Sequence, residues 1–302
     1  MTLRPRQPRP PKPKRLSRRE SVTLCIAAAC MDENKERIII GTDWRVEGEI
    51  SAGADIQDKL YWVNDDIPIL ISGNVTRSIE LRDSYRTILE SWKAENPPKK
   101  ITYRNIRGFI KAGARLFKRE LANEVATFAS GLSYKEMREA VAKKEIPATV
   151  SVSIYRKIER VDFECDVIVI AFVDGNQYIF QIERSGHFEE CDSFAVVGEG
   201  AYVAQAALYL REHDSDDSLD KTLYDVFEAM RLASRCVGSV SKKMHTINVL
   251  YPPKKRGDGV TADFLTSKGF KFLRTLYKEK FGMRSINKFP TIPPKSLKKD
   301  TL

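Results

Sequence analysis

Ser21-Val22-Thr23-Leu24-Cys25-Ile26-Ala27 leads, after a polar break, into Ile38-Ile39-Ile40-Gly41-Thr42-Asp43-Trp44-Arg45. The first run is small and apolar as far as Cys30, the second is β-branched, and Met31–Arg37 between them is polar, so the pair reads as a β-hairpin. A second strand pair follows, Lys59–Val63 and Ile67–Ser72, broken by Asn64-Asp65-Asp66. Asp43 ends one strand, Lys59 opens another, and Gly73-Asn74 ends a third.

Outward from this block, Asn74–Ala94 and Ile106–Phe128 carry apolar residues at helical spacing, and Ser133–Lys144 reads as a short third helix. Val150–Ile154 alternates and is expected to be a strand, as are Val167–Phe172, Gln177–Glu183 and Phe194–Val197, with an Asp174-Gly175-Asn176 turn. Tyr202–Arg211 and Leu219–Cys236 read as helices, the second with a Leu223, Phe227, Met230, Ala233 stripe. Thr246–Tyr251 is expected as the last strand, closed by Pro252-Pro253. Hairpins grouped between helix pairs imply an α+β fold of four layers, two antiparallel sheets flanked by helices.

Hydrophobic residues make up 42% of the 302-residue chain, enough to fold most of it. The net charge of +10 is uneven: residues 1–20 hold eight basic residues, five prolines and one Glu, and residues 252–302 hold thirteen basic residues against four acids. The expected organisation is a disordered basic arm or propeptide over 1–20, a folded domain over 21–251 and a basic extension over 252–302. A nucleic-acid partner would rest on the tails alone and is set aside. No run is long and apolar enough for a bilayer, and the basic N-terminus lacks an apolar core for a signal peptide. Five cysteines without a C-x-x-C pair read as reduced thiols in a cytoplasmic protein. His187, His213 and His245 are each isolated in the sequence and read as ordinary residues. The acidic loop Asp214–Asp217 carries no recognisable metal-binding spacing.

The segment Ser21–Gly73 resembles the β-type proteasome subunits and their bacterial relatives, within the N-terminal nucleophile (Ntn) hydrolases. The matching features are a strand-opening hydroxyl residue, Asp43-Trp44-Arg45 as the Asp-x-Arg motif, Lys59 sixteen residues after Asp43, and Gly73 fourteen after Lys59. The distance from Ser21 to Asp43 exceeds the family's by six residues, which the sequence places in a longer hairpin turn. A looser similarity runs on through Ile168–Gly186 and Gly198-Glu199-Gly200.

The resemblance implies the αββα Ntn hydrolase fold, cleavage of peptide or amide bonds, no cofactor, and a homo-oligomeric ring or stacked assembly. It implies a terminal hydroxyl nucleophile, Ser21 or, on a start like Thr23-Leu24-Cys25-Ile26-Ala27, Thr23; both fall on one strand face. A hydroxyl needs a base, here the chain's own α-amine. Asp43 keeps Lys59 charged, the cation lowers the amine's proton affinity, and the Gly73 N–H faces the oxyanion at a helix start. Arg45 supports Asp43 or shapes the pocket.

Three departures from the pattern favour a rival, a non-catalytic subunit with a structural role. Glu20, not Gly, precedes Ser21; Glu199 replaces the Ser of Gly-Ser-Gly; and Arg235-Cys236-Val237-Gly238-Ser239 stands where Asp-x-x-Ser-Gly is expected. Glu199 is itself a candidate carboxylate near the amine.

Overall fold

A computed structural model describes residues 24–43, 59–97, 100–241, 245–254, 258–280, 291–293 and 296–299. The opening hairpin is β1 (Leu24–Asp32) and β2 (Lys35–Asp43), paired antiparallel from Cys25 opposite Thr42 to Asp32 opposite Lys35. Its turn is only Glu33-Asn34, both at positive φ (49° and 63°), the conformation that matches strand twist in a two-residue hairpin. The longer turn expected from the sequence is therefore replaced by longer strands, nine residues each.

The second strand pair is β3 (Leu60–Asn64) and β4 (Ile67–Gly73). Two helices follow, α1 (Val75–Glu95) and α2 (Tyr103–Ser130), the latter opened by a Thr102–Asn105 capping box. Next come α3 (Tyr134–Ala142) and α4 (Ala148–Glu159), then β5 (Cys165–Val173), β6 (Asn176–Ile182), β7 (Phe188–Cys191) and β8 (Phe194–Gly198). The chain continues with α5 (Ala201–Leu210), α6 (Leu219–Cys236), β9 (His245–Tyr251), β10 (Thr261–Leu265), α7 (Ser267–Lys280) and β11 (Leu297–Lys299).

The strands form two antiparallel sheets, ordered β11-β10-β9-β2-β1-β8 and β3-β4-β5-β6-β7. Alternation along β1 explains the layering. Leu24, Ile26, Ala28 and Cys30 pack with α5, α6 and α7, whereas Cys25, Ala27 and Ala29 meet Leu70, Ile168 and Ile170 of the second sheet. The far face of that sheet, with Ile69, Ile71, Val167 and Val169, is covered by Leu81, Tyr85 and Leu89 of α1 and by Ile110 and Phe117 of α2. The result is the expected four-layer αββα sandwich.

Two elements differ from the sequence reading. Val150–Ile154 lies in α4, not in a strand. Its period-2 alternation of Val and Ile with Ser mimics a strand, but helical spacing buries Ser151 and Ile154 together against the α2–α3 corner beside Ala126 and Met137. Ile154→Ala is accordingly expected to cost about 2–4 kcal/mol in urea denaturation, while Val152→Ala, at 47% exposure, stays within about 0.5 kcal/mol. A strand would bury both equally. Residues beyond Tyr251 also continue the fold. β10 pairs with β9, β11 with β10, and Leu273, Leu276 and Tyr277 of α7 join the α6 core. β9 is thus not the last strand.

Candidate functional site

The hairpin and the second sheet bring Asp43 and Lys59 together at the start of β1. Asp43 ends β2 with its side chain wholly buried, and Lys59, just before β3 and only 4% exposed, forms an ion pair with Asp43 Oδ1. Asp43 Oδ1 also accepts the Leu24 backbone N–H at 2.9 Å, and Oδ2 accepts the Ser241 N–H at 3.2 Å. One carboxylate thus joins the first residue of β1, the second sheet's lysine and the segment before β9. Burial of such a pair needs these additional donors, because two desolvated charges alone do not recover their lost hydration.

Gly73 ends β4 opposite Cys165 with φ 121°, in the region that favours glycine. The following residue, Asn74, caps α1: its side-chain oxygen accepts the Thr76 and Arg77 N–H groups at 3.0 and 3.3 Å, and its amide donates to Glu164 Oε2 at 3.0 Å. The positive end of α1 therefore lies directly after Gly73. Cys25 ties the two sheets together close by, its thiol donating to the Ile71 carbonyl at 3.5 Å. Burial pushes the Cys165 thiol up to about 12, so it is protonated and non-nucleophilic near neutrality.

Gly198 pairs with Leu24, which places Glu199 at the same end of the first sheet. The exposed Glu199 carboxylate accepts the Ser239 hydroxyl at 2.8 Å. Two of the segments that depart from the resemblance therefore touch each other, through Glu199 and Ser239. Asp43, Lys59, Gly73 and Glu199 all fall at strand ends; Ser21, Thr23 and Arg45 lie outside the described residues.

Sequence reasoning missed one cluster elsewhere. His213, expected as an ordinary surface or partly buried residue, has a fully buried side chain beside Asp217 and Asp225 at the α5–α6 corner. The signal was present as His213, Asp217, Lys221 and Asp225, each four residues apart. The five cysteines are free thiols. Among the described residues no helix is long and apolar enough to cross a membrane.

No curated protein matches the chain by sequence. The family model described as proteasome subunit matches residues 114–248, a little under half of the chain, from within α2 into β9. The match and the segment Ser21–Gly73 are separate stretches of sequence, yet the fold joins them: β5 pairs with β4, β8 with β1 and β9 with β2. The layered architecture and the family match agree, and together they support a proteasome-type member of the N-terminal nucleophile hydrolase superfamily.

Proposed function

We propose that the chain is a peptide or amide hydrolase that uses Thr23, freed as the N-terminal residue, as its nucleophile. The observation that carries the reading is the Leu24 N–H bonded to the same Asp43 oxygen that pairs with Lys59. Thr23 is covalently next to that N–H, whereas Ser21 is two residues further away, about 7 Å along an extended chain. Relative to the family spacing, Thr23 also leaves four extra residues in the hairpin, two for each lengthened strand.

In this mechanism the α-amine of Thr23 takes the hydroxyl proton and the oxygen attacks the carbonyl. The amine then returns the proton to the leaving group, and water releases the ester. Lys59 holds a positive charge beside the amine and favours its neutral, basic form. The Gly73 N–H, at the positive end of α1, stabilises the oxyanion. Glu199 and Ser239 orient the amine, and Arg45 supports Asp43. Residues 1–22 act as a removable arm. No cofactor takes part. The free thiols suit a reducing, cytoplasmic compartment. Assembly as a homo-oligomeric ring or stack is supported by the similarity to proteasome subunits.

A fluorogenic peptide panel, run with and without a β-lactone, tests the reading. Turnover with a covalent adduct on Thr23, lost in Thr23→Ala and kept in Ser21→Ala, is the expected result. An adduct on Ser21 transfers the role to that residue. Absence of both turnover and adduct returns the chain to the non-catalytic, structural reading.

A further inference from the structure

His213, Asp217 and Asp225 converge at the corner between α5 and α6, away from the Asp43–Lys59 site. His213 Nδ1 lies 3.2 Å from Asp217 Oδ2 and 3.7 Å from Asp225 Oδ2. The three donor atoms all fall within 4.8 Å of one another. Ligands about 2.0–2.1 Å from a tetrahedral Zn²⁺ stand about 3.3–3.4 Å apart, close to the separations of His213 from the two carboxylates. The His213 side chain is fully buried, yet neither ring nitrogen has a hydrogen-bond partner of adequate geometry, and Asp225 Oδ1 is likewise buried without one. Buried polar atoms normally find partners, and three orphans in one cluster point to a missing one.

We propose that His213, Asp217 and Asp225 form a binding site for a divalent transition-metal cation of the zinc class. One imidazole and two carboxylates suit such an ion, and solvent would complete the coordination at the partly exposed Asp217. The ammonium of Lys221 now bridges Asp217 and Asp225, 2.9 Å from the latter. It acts as an internal counter-ion that a metal displaces. Its side chain is 21% exposed and sits in the first turn of α6, where it has a short path to solvent. The site fastens the α5–α6 loop to the hairpin, since the Met31 N–H donates to the Asp217 carbonyl at 2.9 Å. This is a structural clamp, independent of the hydrolase reading.

The test is equilibrium dialysis of the full-length, metal-stripped protein against Zn²⁺ at pH 8, with Co²⁺ absorption as a second readout. The expected result is one bound equivalent, a visible Co²⁺ band, and no competition by excess Mg²⁺. His213→Gln and Asp225→Asn should weaken binding by about 100-fold or more, beyond the effect of losing an outer-shell partner. Lys221→Met should tighten it, because the competing cation is gone. Cys236→Ser and His187→Gln should leave it unchanged. If the buried variants do not fold, Asp217→Asn takes their place. Absence of binding by the wild-type chain, or binding indifferent to His213, Asp217 and Asp225, overturns the proposal.

Discussion

Lys59→Ala is expected to reduce peptide hydrolysis by at least about 10²-fold, the range associated with acid–base groups. It should also destabilise the fold by about 3–5 kcal/mol, because Asp43 would be left charged and buried without its cation. Loss of activity alone would therefore not separate chemistry from folding. The double variant Asp43→Asn/Lys59→Met does so. It removes both charges and keeps an acceptor oxygen for the Leu24 N–H at the cost of the Ser241 N–H bond, so urea midpoints should recover part of the lost stability. Turnover should stay abolished, because the amine of Thr23 no longer has a cation beside it. A double variant that is stable and active would make the pair purely structural.

Gly73→Ala should have the second largest effect. A Cβ there would lie 2.5 Å from the Glu164 carbonyl oxygen and 2.6 Å from Cys165 Cα, and the φ of 121° is itself unfavourable to alanine. Neither neighbour is a flexible side-chain end, so the β4–β5 ladder must shift. We expect a loss of about 3 kcal/mol or more in thermal or urea denaturation. The same shift would move the Gly73 N–H and the start of α1, which begins one residue after Asn74. Turnover per folded molecule should then fall, with kcat affected more than KM, as for an interaction made with the developing oxyanion. An unchanged kcat in the folded fraction would remove Gly73 from the chemistry and leave it as a strand terminus.

The sequence was most legible where local chemistry and tertiary structure agree. The Asp174-Gly175 pair sets positive φ at both turn positions and joins β5 to β6 as expected. Leu223, Phe227, Met230 and Ala233 recur at helical spacing and are all buried in α6. Asp43 and Lys59 were legible through the resemblance, whose motif spacing they match, and the structure joins them across the two sheets.

Legibility failed where a local pattern suits two conformations. Val150, Val152 and Ile154 alternate like a strand, and only packing against α2 and α3 selects the helix. β10 and β11 are short strands, and the pairing of the edge strand β11 with β10 joins distant residues, Phe264 with Lys298 for example, so no local signal marks it. The buried environment of His213 was hidden for a related reason. Its four-residue relation to Asp217 is local, but its burial depends on Phe194 of β8 and on the hairpin end at Met31.

The most direct test of the central claim is the intact mass of the purified protein carrying a C-terminal tag. The account predicts loss of residues 1–22, leaving Thr23 as the first residue with its amine beside Asp43 and Lys59. A full-length mass that persists through prolonged incubation, in protein that hydrolyses no peptide, would contradict it.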